Sequence, residues 1–99
     1  MDYTTKKVIC EREWGLTATK TISVIKAWQQ LPEREIYLTN SYGQLNRPSV
    51  IDLLSISVEE GSEIEIKVEG KDDIASNILE VISSRIQYDD PSKWVDYNF

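Results

Sequence analysis

The segment that most constrains the fold is residues 62–69, which read S-E-I-E-I-K-V-E between Gly61 and Gly70. Apolar residues alternate with polar or charged ones along it, at Ile64, Ile66 and Val68. This period of two is typical of a β-strand with one face covered and the other in water. Strands buried on both faces have continuous apolar runs instead, so the alternation predicts an antiparallel sheet covered on one side by helices.

Two segments have the periodicity of covering helices. After Gly70, two aspartates suited to a helix N-terminus precede apolar residues at three-to-four spacing: Ile74, Ala75, Ile78, Leu79, Ile82 and Ile86. An earlier helix is predicted from about Ala18 to Gln29, before Leu31-Pro32. Its predicted apolar stripe consists of Ala18, Ile22, Ile25 and Trp28.

The remaining elements are shorter. Residues 35–39 and 44–46 flank an N-S-Y-G turn and predict a hairpin, and residues 6–11 predict a first strand. After Pro48, Ser49 at the N-cap and Asp52 at the third helical position form a capping-box pattern at the start of a short helix. The order β-α-β-β-α-β-α predicts an α+β domain with a four-stranded antiparallel sheet and three helices on one face.

Composition excludes several classes of function. None of the 99 residues is histidine, which excludes imidazole general bases, histidine nucleophile systems and histidine metal ligands. The net charge is -6 and the basic residues do not cluster, so we expect no nucleic-acid partner. Glu63, Glu65 and Glu69 lie on the predicted wet face of a strand, so we expect no enzyme.

We also expect no metal and no cofactor. The single Cys10 lacks the cysteine and histidine partners of a zinc site and is predicted to be a small core side chain. There is no apolar run of membrane-spanning or signal-peptide length, so we expect no membrane insertion and a cytoplasmic protein.

Several strings, in this order and spacing, resemble the HPr family, the small bacterial phosphocarrier proteins of the sugar phosphotransferase system (PTS). They are Gly15-Leu16, Glu35-Ile36-Tyr37-Leu38, residues 48–56 (P-S-V-I-D-L-L-S-I), Glu60-Gly61-Ser62-Glu63-Ile64 and Glu69-Gly70-Lys71-Asp72-Asp73. The resemblance implies an open-faced β-sandwich. It also divides the chain into an HPr-like domain at residues 1–88 and an acidic, aromatic extension at residues 89–99.

The family carries a phosphoryl group on the histidine of a G-L-H-A-R-P motif. The matching residues here are G-L-T-A-T-K, so the resemblance places Thr17 at the histidine, Thr19 at the arginine and Lys20 at the proline. A threonine phosphate ester is too inert to pass its group on at a comparable rate. The resemblance therefore implies a homologue that is not a working phosphocarrier.

Two interpretations of this helix start remain open. Thr17 at the N-cap could accept a hydrogen bond from an unpaired backbone N–H of the first helical turn. Alternatively, Thr17, Thr19 and Lys20 could bind a phosphate or carboxylate of a ligand or partner at the helix N-terminus. Lys20 opposes the helix dipole, and a bound anion would relieve that repulsion.

The resemblance implies two further sites. Ser49 matches a serine that a dedicated kinase phosphorylates in Gram-positive relatives, although its surroundings differ and a simple N-cap is the alternative. The family's docking surface for protein partners corresponds to Trp14, Val24, Ile51 and Leu54. Asp52 lies where the family commonly has glycine, so the usual partners would meet a surface of different charge.

The extension has two interpretations, and the chain as a whole has two functional hypotheses. Trp94, Tyr97 and Phe99 follow Pro91, and they either fold back over the domain or dock on a partner or second copy. The first hypothesis is a regulatory or adaptor protein with an unidentified protein partner. The second is a structural or oligomerising module that exchanges the aromatic tail or the first strand, so that the chain is a monomer or a homodimer.

Overall fold

The computed structural model describes residues 2–98 and has the predicted order of elements. A four-stranded antiparallel sheet in the order β1-β4-β2-β3 is covered on one face by three helices. The bounds are β1 Tyr3–Ile9, α1 Ala18–Trp28, β2 Ile36–Asn40, β3 Gly43–Asn46, α2 Val50–Ser55, β4 Glu63–Glu69 and α3 Asp73–Gln87, followed by a 3-10 turn at Pro91–Lys93.

Strand β4 lies at the centre of the sheet and has the predicted alternation. Ile64, Ile66 and Val68 are completely buried, whereas Glu63 is exposed on the opposite face. β4 pairs with β1 along its whole length and with β2 from Thr39↔Glu65 to Ile36↔Val68. The buried side of β4 therefore forms the floor of the core.

Helix α3 covers this floor with the face that its periodicity predicted. Its buried apolar residues are Ala75, Ile78, Leu79, Val81, Ile82 and Ile86, and Ile74 packs against them at the margin. The N-terminus is capped by Asp72, whose side chain accepts from the backbone N–H of Ala75 at 3.0 Å. Arg34 donates to both oxygens of the same carboxylate and thereby ties the helix start to the loop before β2.

The prediction of which face of α1 is buried was wrong, because the buried face is rotated by part of a turn from the predicted one. The buried residues are Thr21, Val24, Ala27 and Trp28, whereas Ile22 is 44% exposed. Thr21 can lie in the core because its hydroxyl donates to the carbonyl of Leu16 at 3.4 Å, and this offsets part of the cost of burying it. Val24 is completely buried, so its prediction as a docking residue was also wrong.

Strand β1 begins and ends earlier than the predicted residues 6–11. Its register places Lys6 opposite Ile66, on the covered face. The lysine side chain extends to the edge of this face, where its ammonium lies 3.0 Å from the carboxylate of Glu80 on α3. Because Lys6 is a charged residue on the inner face, the sequence of β1 does not show the regular alternation of apolar and polar residues. Cys10 follows β1 and is completely buried, as predicted.

Both the backbone angle at position 15 and its surroundings require glycine there. Its φ of +74° is one that L side chains rarely adopt, and a Cβ there would meet the carbonyl of Val58 and lie 2.8 Å from the Cα of Glu59. Gly61 has a similar φ of +84° but has nothing within 4 Å of a Cβ position.

We expect Gly15→Ala to destabilise the protein by several kcal/mol more than Gly61→Ala. Both variants incur the left-handed penalty of about 1–2 kcal/mol, and only Gly15→Ala adds a collision with backbone. Urea unfolding of both variants measures the difference. Equal losses of unfolding free energy would contradict the close approach at Gly15.

Candidate functional site

Trp14, Thr17, Thr19 and Lys20, which the resemblance assigns to function, lie in and directly after the loop entering α1, and this loop contacts the loop entering β4. The carbonyl of Cys10 accepts from Gly61 N–H at 2.7 Å, and its N–H donates to Ser62 at 2.9 Å. Leu16 N–H donates to the carbonyl of Val58 at 2.8 Å. Backbone bonds thus hold residues 10–16 against residues 58–62 and fix the start of α1 relative to the end of α2.

Trp14 is the most prominent apolar side chain of this site. It is 79% exposed, and its φ of 66° lies in the left-handed region, which is uncommon for a bulky residue. Its backbone N–H donates to the Glu60 carboxylate at 3.1 Å, and the next residue is the tightly packed Gly15. Fixed backbone on both loops therefore holds the indole in water.

Thr17 is the N-cap residue of α1, but the predicted side-chain cap was wrong. Its backbone has N-cap geometry (φ −66°, ψ 170°) and its carbonyl accepts from Thr21 N–H at 2.8 Å, yet its hydroxyl makes no cap hydrogen bond. Threonine caps less well than serine and its β-branch restricts χ1, which accounts for the difference from Ser49. Thr17 and Thr19 are both exposed.

Lys20 has a partner within the chain. Its ammonium donates to the carbonyl of Glu13 and lies 3.1 Å from the Asp89 carboxylate. The anion that would relieve its repulsion by the helix dipole is therefore supplied by residue 89. The predicted anion site at Thr17, Thr19 and Lys20 stays a prediction.

Arg12 is the other cation of this site, and sequence reasoning missed it. The side chain is buried, with 3% of the residue exposed, and it donates to the carbonyl of Arg85 at 2.6 Å, Ser23 Oγ at 3.2 Å and Asp89 at 3.3 Å. Burial lowers the pKa of Arg12, and the nearby Asp89 carboxylate opposes that shift.

Asp89 joins these cations to the backbone of the loop. Its Oδ2 accepts from the N–H of Glu13 at 2.8 Å, in addition to its contacts with Arg12 and Lys20. Burial alone would raise the pKa of Asp89, but the hydrogen bonds from Glu13 N–H and Lys20 and the charge of Arg12 together lower it below its ordinary value. Asp89 is therefore held as a carboxylate.

The rest of the extension folds back along α3, as the first of its two interpretations predicts. The guanidinium groups of Arg12 and Arg85 both lie over the Trp94 ring, at 5.4 and 5.2 Å from its centroid, and the indole N–H donates to the carbonyl of Tyr88 at 2.8 Å. Tyr97 packs against the core. Phe99 lies outside the described residues.

Helix α2 presents the other predicted site residues. Ser49 and Asp52 form the predicted capping box, in which Ser49 Oγ accepts from Asp52 N–H at 3.2 Å and the Asp52 carboxylate accepts from Ser49 N–H at 3.1 Å. Ile51 is 79% exposed and Leu54 is 37% exposed, whereas Leu53 between them is buried. Helices α1 and α2 pack against each other, so these side chains share a surface with α1.

Residues 2–98 contain neither a membrane-spanning helix nor a cluster of metal ligands. No helix there has the length and apolar character to cross a membrane. No group of three or more histidine, cysteine or acidic side chains there has the geometry of a metal site.

Comparison with known proteins identifies a family. The family model described as PTS-HPr, "PTS HPr component phosphorylation site", matches residues 4–88. No curated protein sequence matches the chain.

Solved structures of this family share the fold. The phosphocarrier protein HPr from Bacillus anthracis str. Ames superposes with a TM-score of 0.74 at 24% identity, over 86% of this chain and 98% of its own. HPr-C-His from Thermoanaerobacter tengcongensis gives a TM-score of 0.67 at 18% identity, over 84% and 94%. The histidine-containing phosphocarrier protein of Mycoplasma gives 0.69 at 21% identity, over 83% and 90%.

We expect Asp89→Asn to destabilise the protein by about 1–2 kcal/mol, because it leaves the buried Arg12 without its carboxylate. Asp96→Asn is the matched control, since Asp96 belongs to the same extension and pairs with Arg85 at 3.2 Å but is 89% exposed. We expect its effect to be close to zero. Denaturant unfolding of both variants tests this, and equal midpoints would contradict the role assigned to Asp89.

Proposed function

The chain belongs to the HPr family, whose model matches residues 4–88, and we propose that it acts there as a regulatory or adaptor protein and does not carry phosphoryl groups. The observation that carries this proposal is the absence of histidine from the whole sequence. Phosphoryl transfer in the family depends on one histidine, so no residue of this chain can replace it by the same chemistry.

The position of Thr17 supports the proposal. The family resemblance aligns Thr17 with the phosphoacceptor, and the residue lies exposed at the N-cap of α1. A hydroxyl there is a poor nucleophile without a general base, and the ester it could form would be a stable end product and not an intermediate. The neighbouring Thr19 also lacks the charge of the arginine that would neutralise phosphate.

The proposed function resides in four of the exposed apolar side chains, which we call the docking surface: Trp14, Ile22, Ile51 and Leu54. They come from the α1 entry loop, α1 and α2, and they are surrounded by exposed polar residues. A backbone hydrogen bond to Glu60 positions Trp14, and α2 buries Leu53 against the domain while Ile51 and Leu54 face the solvent. Such a patch is a typical protein-interaction site.

Regulation through Ser49 is part of the same proposal. A phosphate there would lie at the start of α2, next to the exposed Ile51, and its oxygens would compete with the present Ser49 oxygen as acceptors of the Asp52 N–H. The added charge would also face the Asp52 carboxylate, which accepts from Ser49 N–H. Phosphorylation would thus alter the docking surface directly. We place this function in the cytoplasm, as for the family.

The oligomerising alternative has less support. It needs an aromatic tail that is available to a second copy. Trp94 and Tyr97 are instead partly buried against their own domain, and Trp94 is held by Arg12 and Arg85. We therefore treat residues 1–88 as the HPr domain and residues 89–99 as a segment added to it.

We expect enzyme I and phosphoenolpyruvate to leave no acid-labile phosphate on this protein, because it has no histidine. Radiolabelled phosphoenolpyruvate followed by acid treatment measures this, with the HPr of Bacillus anthracis as the positive control. A transferable phosphoryl group on any residue of the chain would refute the adaptor proposal.

We expect Trp14→Ala and Ile51→Ser to abolish the capture of partner proteins from a lysate of the source cell. Tyr42→Ser is the matched control, because Tyr42 is also a large exposed side chain (68%) but lies on the β2–β3 turn, outside the docking surface. Mass spectrometry of the captured proteins gives the comparison. The same set of proteins on all three variants would show that the docking surface is not used.

A further inference from the structure

We propose that the docking surface selects a basic partner, a protein segment that presents arginine or lysine beside apolar side chains. This inference rests on the proposed function, since it specifies the partner of the same surface. Its basis is the charge that the two loops around Trp14 expose, together with the pairing of the adjacent cations with Asp89 of the C-terminal segment.

Three exposed carboxylates surround Trp14. Glu13 precedes it in the chain, and Glu59 and Glu60 belong to the loop against which Gly15 packs. None of the three takes part in an ion pair within residues 2–98. Glu60 accepts the backbone N–H of Trp14 at 3.1 Å, which fixes one of these charges directly beside the tryptophan.

The two cations next to these carboxylates are both already engaged. Arg12 is buried and divides its donors among Arg85, Ser23 and Asp89, and Lys20 binds Asp89 and the carbonyl of Glu13. The two cations share a single carboxylate of the extension, Asp89, so one positive charge remains against the three exposed carboxylates. The loops around Trp14 therefore keep an excess of negative charge, because three carboxylates outside any ion pair of residues 2–98 face this one remaining positive charge.

The exposed indole gives this negative surface a specific way to hold a cation. A guanidinium or ammonium group is attracted to the face of a tryptophan ring, and the attraction is strongest where carboxylates stand beside it. The protein has the same interaction within its own chain, where Arg12 and Arg85 both lie over the Trp94 ring. The overall charge of -6 would in addition attract a basic partner over a longer range.

A titration with two synthetic probes tests the proposal. One is an amphipathic peptide of leucine and arginine, and the other has glutamate at every arginine position. The readout is the NMR signal of the Trp14 indole N–H, assigned by its loss in Trp14→Phe. We expect the arginine peptide to shift this signal to saturation, with an affinity that falls as salt is added. We expect no shift with the glutamate peptide.

Two double variants with the same change in net charge locate the effect. Glu13→Gln with Glu60→Gln keeps the acceptor for Trp14 N–H and removes two charges at the surface. We expect it to weaken binding about fivefold to tenfold. Glu33→Gln with Glu69→Gln removes two charges at the opposite end of the sheet, where β4 ends and both residues line a groove with Arg34. We expect it to leave the affinity of the arginine peptide unchanged.

Three results would overturn the inference: equal weakening by the two double variants, a shift of the Trp14 signal by both peptides, or no shift by the arginine peptide. None of them bears on the absence of phosphoryl transfer or on capture by the docking surface. A failed titration beside a successful capture experiment would therefore reject the basic partner and leave the adaptor function standing.

Discussion

The backbone ladder between β1 and β4 is the constraint on which the rest of the molecule depends. It runs without a break from Tyr3↔Glu69 to Ile9↔Glu63 and continues beyond the strands, where Cys10 exchanges hydrogen bonds with Gly61 and Ser62. Because the two strands are antiparallel, the exit of β1 and the entry of β4 must lie at the same end of the sheet. The loops that carry Trp14 and Glu60 therefore meet there, and the close approach of Gly15 to Val58 fixes the angle at which α1 begins.

A buried arginine then decides the electrostatics of that end. Arg12 lies where solvent is largely excluded, and a charge in such a place needs a counterion and hydrogen-bond acceptors. Asp89 and the carbonyl of Arg85 supply them, and Trp94 covers the guanidinium. The extension is thus attached to the domain through the buried guanidinium of Arg12, which requires a counterion. Because Asp89 also binds Lys20 and Glu13 N–H, the same fastening orders the loop before α1.

The elements that could be predicted from the sequence are those whose burial pattern repeats over a few neighbouring residues. The alternation of β4, the periodicity of α3 and the capping box at Ser49 are short-range patterns, and the structure has all three. For α1 and β1 the local pattern was misleading. Thr21 and Lys6 are polar residues on covered faces, and each is tolerated because of a distant partner, the carbonyl of Leu16 and the carboxylate of Glu80. Arg12 and Asp89 are 77 positions apart, and no periodicity in the sequence links them. Only the fold brings them together.

The contact between Asp89 and Lys20 bears on what the loss of histidine means. Had the chain lost a nucleophile and nothing else, its surface would still suit the partners of a phosphocarrier. The resemblance implies that Thr19 and Lys20 replace an arginine and a proline of the transfer site, and the one cation gained, Lys20, is paired with a carboxylate from beyond the end of the matched domain. Asp52 adds a further negative charge on α2. Under the adaptor proposal, a histidine at position 17 would restore a reactive group without restoring the charge that its partners meet. The substitutions at the transfer site and the added extension are then parts of one change, from a surface that transfers a group to a surface that only binds.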